Sequence, residues 1–165
     1  MSVAATRADH GSGGWARFWP LLLPGAYLVH LAEEIWGGHG FVRWAAAHLS
    51  AAFSQPDFLL INATAWPLMF VASLAAVLRP ALRWAILTVA AILLINGTLH
   101  LGATMVTGTY SPGLVSGVLL YLPLGVLAVR RVGRDLRKTT VVMAMALAVA
   151  LHGLVVVVGF VLDRP

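Results

Sequence analysis

Cysteine is absent from the 165 residues, and with it disulfides, thiolate chemistry and cysteine-ligated zinc. Charge is scarce as well. Asp, Glu, Lys and Arg make up 10% of the chain, where a soluble domain carries about 25%. That shortage excludes an ordinary soluble protein, a disordered chain and a coiled coil. No internal repeat is visible. No removable signal peptide is expected, because the first apolar stretch ends in two glutamates rather than a small-residue cleavage site. What fills the chain instead is apolar: 60% of residues are hydrophobic and the mean hydropathy is +0.88. A lipid bilayer is the solvent that suits such a composition.

The pattern predicts an all-α integral membrane bundle of five spans, at about 19–36, 58–78, 83–106, 112–129 and 139–162. Each approaches the ~20 residues that cross the hydrocarbon core. Residues 1–14 are polar and glycine-rich and are expected to be a disordered tail; residues 15–165 are expected to form one membrane domain. Net charge is +5, a balance that can signal nucleic acid. Here the basic residues sit between apolar runs, which is the pattern of membrane topology, so no nucleic-acid partner is expected. Arg7, Arg17, Arg79, Arg83, Arg130, Arg131, Arg134, Arg137 and Lys138 fall on one side of the five-span arrangement, and Arg43 and Arg164 on the other. This asymmetry predicts N-terminus in and C-terminus out, in a plasma membrane. Between spans 1 and 2, Phe41, Trp44, Ala45 and Leu49 make either a short interfacial helix facing the membrane or a re-entrant or capping loop. His39 and His48 are expected to be solvated there.

The informative residues are the polar ones inside the spans. Glu33 and Glu34 are the sole glutamates of the chain, and both lie in span 1, three and four residues after His30. On a helix those spacings set His30 beside both carboxylates. Ionisable groups in a span cost several kcal/mol and face the bundle interior. Span 3 carries Asn96 and His100 on one face, span 2 carries Asn62 and Thr64, and span 5 carries His152. Span 4 opens with Tyr110-Ser111-Pro112-Gly113. At 1.5 Å per residue, His30 and His100 both lie ~10 Å from the outer ends of their spans, Asn62 ~6 Å and His152 ~15 Å. The inner halves hold almost no ionisable group. One site in the outer half of the bundle is therefore expected.

Three short motifs follow one another: H-x-x-E-E from His30 to Glu34, N-x-x-x-H from Asn96 to His100, and Y-x-P-G from Tyr110 to Gly113. In this order they resemble the HXXEE-domain family of membrane proteins, over most of the chain from His30 to the end of span 4. The resemblance implies an integral membrane enzyme without an assigned reaction, with His30, Glu33, Glu34, Asn96, His100, Tyr110, Pro112 and Gly113 as functional positions. Pro112 and Gly113 also suit the entrance of span 4. The inverted zinc-protease pattern H-x-x-E-H does not apply, because its last position is Glu34.

Imidazole and carboxylate suit a divalent metal, zinc or iron. His30, Glu33, Glu34 and His100 are the candidate ligands, with His152 as a further one. The glutamate left over would act as general base, and Asn96 would fix the His100 ring. Two other readings stay open. One is a metal-free acid–base isomerase or cyclase using a His30–Glu34 pair. The other is a non-enzymatic membrane protein that binds a hydrophobic ligand. In each case the partners are membrane lipids and a small hydrophobic or lipid-like molecule.

Overall fold

The computed structural model describes residues 16–49 and 54–159, and every regular element among them is helical. A 3-10 turn, Trp19–Leu21, leads into α1, Leu22–Trp36. A short helix α2, Phe41–Leu49, is followed by α3, Gln55–Leu78, and α4, Trp84–Thr107. The last two are α5, Leu114–Gly133, and α6, Lys138–Val157. The tail expected at 1–14 and the predicted end of the last span at 162 lie outside the described residues.

Local chemistry explains the boundaries. α3 begins at a capping box, in which Ser54 accepts from the Asp57 N–H and Asp57 accepts from the Ser54 N–H. Pro80 ends it, since the residue before a proline is pushed out of helical geometry. α5 is not a regular helix. Pro123 lacks an N–H and its ring crowds the carbonyl of Leu119. The turn just before it, Gly117–Tyr121, opens into a π-helical turn.

Among the described residues, four helices, α3 to α6 (the second of them counted from Pro80), are long and apolar enough to cross a membrane. α1 is not among them, so the fifth span of the expectation is not shown. Its α-helix has 15 residues, and His30, Glu33 and Glu34 dilute its outer half. α1 nonetheless packs against α3, α4 and the start of α5. α4 sits at the centre: Leu87, Ala90 and Leu93 are fully buried and it contacts α3, α5 and α6. Gly97 of α4 and Gly117 of α5 meet backbone to backbone, and a Cβ on Gly97 would lie 3.0 Å from the Gly117 carbonyl oxygen. Small residues permit such close approach between helices in lipid. Large apolar side chains such as Leu60, Val71, Val142 and Met143 point outward, as lipid-facing residues do.

The two ends of the bundle differ. At one, Arg83 pairs with Asp135 at 3.0 Å and Arg131 lies over the Trp19 ring, 5.4 Å from its centroid. The opposite end carries α2 and the 108–113 loop. Trp44 and Ala45 of α2 are buried and pack with Phe58. The segment is therefore a cap folded inward onto the bundle; of the expected outward-facing residues, Leu49 is the exposed one.

Candidate functional site

His30 and Glu34 from α1 and His100 from α4 meet beneath the α2 cap. They are 2%, 6% and 4% exposed. The Glu34 Oε1 stands 3.6 Å from His30 Nε2 and 3.3 Å from His100 Nε2. One ligand atom from each of the three residues lies within 4.8 Å of the others. Two ligands of a tetrahedral ion at about 2.1 Å from it stand about 3.4 Å apart, a spacing the two Glu34–histidine contacts approach. Aromatic rings close it in. Tyr121 stacks on His30 with centroids 4.3 Å apart, and Phe41 reaches His100 at 5.3 Å.

Both imidazoles are held from behind by a serine. His100 Nδ1 lies 2.9 Å from Ser111 Oγ, and His30 Nδ1 lies 2.9 Å from Ser116 Oγ. The second contact places a proton on the ring. Ser116 has one hydroxyl proton, and it goes to Glu33. The serine oxygen must then accept from His30 Nδ1–H, so Nε2 bears a lone pair in a neutral ring and an N–H in an imidazolium. That atom is buried and has no hydrogen-bond partner. It faces the Glu34 carboxylate at 3.6 Å, an ion pair when the ring is protonated. Such an arrangement calls for a cation, either a proton or a metal ion.

The π-helical turn in α5 contributes directly. Ser116 and Tyr121 both touch His30, yet residues five apart lie about 140° apart on a regular α-helix. Widening the turn brings i and i+5 onto one side. Neither Ser116 nor Tyr121 was expected from the motif spacing, and Pro123 with its neighbouring Gly117 and Gly125 was the available signal. Ser111 was visible inside the Y-x-P-G motif but unassigned.

Glu33 is occupied elsewhere. Its carboxylate accepts from the Tyr110 hydroxyl at 2.5 Å, the Val115 N–H at 2.9 Å, the Ser116 N–H at 2.7 Å and the Ser116 hydroxyl. Four acceptances use the acceptor sites of a carboxylate. Glu33 thereby caps the free N–H groups at the start of α5 from a neighbouring helix. It is not part of the three-residue group. Burial, then the hydrogen bond and charge of Glu33, push the Tyr110 phenol up to about 12. Tyr110 therefore stays protonated near neutral pH and keeps donating. Glu33→Gln places an amide N–H₂ against donors of α5. The expected result is a lower midpoint of thermal unfolding, worth about 1–3 kcal/mol, with the His30–Glu34–His100 group retained.

The other expected residues fall around the group. His152 is half-buried on α6 and lies near enough to His100 and Glu34 to feel their charge, but it is outside the three. Asn96 does not hold the His100 ring; Ser111 does, and the Asn96 Oδ1 is buried without a partner. Asn62 accepts from the Tyr27 hydroxyl at 2.5 Å, and Thr64 is exposed. Gly113 lies directly beside both histidine rings, and Pro112 is buried next to it.

Fold and site together define a helical bundle of membrane-spanning composition that encloses a His–Glu–His cluster in one half. The chain belongs to the HXXEE family, described as proteins of unknown function with an HXXEE motif, whose profile matches residues 21–128. No curated protein and no solved structure gave a match.

Proposed function

We propose that this protein is an integral membrane enzyme whose His30, Glu34 and His100 hold one divalent metal ion, zinc or iron, and that it acts on a small hydrophobic or lipid-like substrate. In this reading α1 is a fifth span, the N-terminus is inside, and the site opens toward the outer leaflet of a plasma membrane. The concentration of Lys and Arg at the opposite end supports that orientation.

The observation that carries the reading is the buried convergence of His30, Glu34 and His100, with Glu34 Oε1 facing both Nε2 atoms. Nitrogen, nitrogen and oxygen make a three-ligand set of the kind catalytic metal sites use while leaving a coordination position open. A bound ion would supply Lewis acidity or an activated water. The protein's own residues do the rest: Ser111 and Ser116 fix the two rings, Glu33 and Tyr110 fix the Ser116 turn, and Phe41 and Tyr121 keep water out. The Tyr121 hydroxyl, buried and without a partner, is available to orient a substrate.

The test is metal analysis by plasma mass spectrometry of protein purified without chelators. The expected result is close to one zinc or iron per chain. Protein that is fully folded and metal-free overturns the metal centre. The proton-transfer reading then takes its place, with an imidazolium as the cation beside Glu34.

A further inference from the structure

Two cavities flank the cluster, and Tyr110 lines both. The first, about 490 Å³, runs along the outside of α1 and α5. Val29, Val115, Leu119 and Leu120 make its wall, and Glu33 and Ser116 sit at its polar end. Val29, Val115 and Leu119 are exposed on helices otherwise faced with lipid-directed side chains. An acyl or isoprenoid chain suits that groove better than water does.

The second cavity, about 510 Å³, lies on the cap side, with His39, Arg43, His48 and Trp44 among its walls and no carboxylate. Its charge is notable for where it sits. The described residues include nine lysines and arginines; eight lie toward the opposite end of the bundle, and Arg43 is the one at this end. Topology accounts for the eight and leaves Arg43 unexplained. Its Nε donates to the His39 carbonyl at 2.7 Å, which steadies the side chain while the two terminal nitrogens remain for a ligand. A guanidinium presented this way suits a phosphate or carboxylate, which it binds through a two-pronged contact. The facing wall is rigid: Trp44 Nε1 donates to Thr109 Oγ at 3.1 Å, and His48 bridges the Trp44 carbonyl and Thr109.

We propose that the two cavities together hold one acidic membrane lipid, its anionic head at Arg43 and His39 and its chain along Val29, Leu119 and Leu120, bent over Tyr110. This rests on the reading of the protein as a membrane enzyme and narrows the substrate class to an anionic amphiphile. Its head would lie on the cap side, and its chain would pass Ser116, which holds His30.

The experiment is calorimetric titration of the full-length protein in an uncharged maltoside detergent with dodecyl phosphate. Dodecyl phosphocholine and inorganic phosphate are run in parallel. Saturable binding of about one dodecyl phosphate per chain is expected. Arg43→Ala, at an exposed position, is expected to weaken it at least tenfold. Leu119→Trp, which fills the groove, should do the same, and both variants should keep the wild-type metal content. Equal affinity for dodecyl phosphocholine, equal affinity for inorganic phosphate, or an unchanged Arg43→Ala each overturns the proposal. The metal content separates this from the reading it rests on. A metal-loaded protein that ignores dodecyl phosphate sinks the lipid site alone, and a lipid-binding protein free of metal sinks the metal centre alone.

Discussion

Glu34→Gln is expected to empty the proposed metal centre while Glu33→Gln leaves it filled, although the two residues are adjacent. Both substitutions keep the size of the side chain and remove its charge. Oε1 of Glu34 is the atom both histidine Nε2 atoms face, at 3.6 and 3.3 Å. An amide there offers a neutral, weak donor to a divalent ion. Loss of an outer hydrogen-bond partner of a ligand costs ~10–100-fold in metal affinity. Loss of a ligand, here the sole anionic one of three, should exceed about 100-fold. His30→Ala and His100→Ala should behave likewise. Glu33 has its four acceptor positions filled by Tyr110, Val115 and Ser116, so its replacement should appear in thermal unfolding and not in metal content. Plasma mass spectrometry of the four variants, with circular dichroism to confirm helix content, decides the matter. Equal metal loss in Glu33→Gln and Glu34→Gln would contradict the assignment.

Gly113→Ala is expected to disable the site with the helices intact. Gly113 has φ +106°, a conformation that L-residues rarely adopt, and a Cβ added there would lie 2.7 Å from His100 Cε1 and 2.8 Å from His30 Cε1. Holding alanine in that conformation costs about 1–3 kcal/mol. The clash also forces both rings to shift from their positions beside Glu34. A displacement of about 1 Å at a reacting centre can cost ~100-fold, and a metal set would suffer similarly. Gly108→Ala is the matched control. It too has positive φ, +67°, but nothing lies within 4 Å of the added Cβ. It should cost about 1–2 kcal/mol in stability and leave metal binding unchanged. If both variants keep their metal, the close approach of Gly113 to the rings does not matter.

Much of the architecture could be read without coordinates because lipid imposes simple rules. Apolar stretches near 20 residues and the clustering of Arg and Lys at one end place α3 to α6 within a few residues. The same rules make His30, Glu34 and His100 conspicuous, since charge inside a span is costly. They leave α1 undecided as a span, because its α-helix has 15 residues and the residues that build the site lower its hydropathy. They are silent about α2, whose Trp44 and Phe41 could as well have faced the membrane.

The roles within the cluster were beyond the reach of spacing. Glu33 and Glu34 differ by one position, and helical geometry points both near His30. Which of them faces His100, and which caps α5, depends on where α5 begins and how it is rotated. Ser116 and Tyr121 reach His30 together because a π-helical turn before Pro123 changes the helical period, and a pattern read at 3.6 residues per turn cannot register that. The sequence by itself determined the solvent, the helices and the polar residues that had to be brought inside, because burying charge in hydrocarbon admits few arrangements. The tertiary structure alone decided which atoms face one another, because hydrogen-bond partners and ring orientations are set by side chains far apart in the chain.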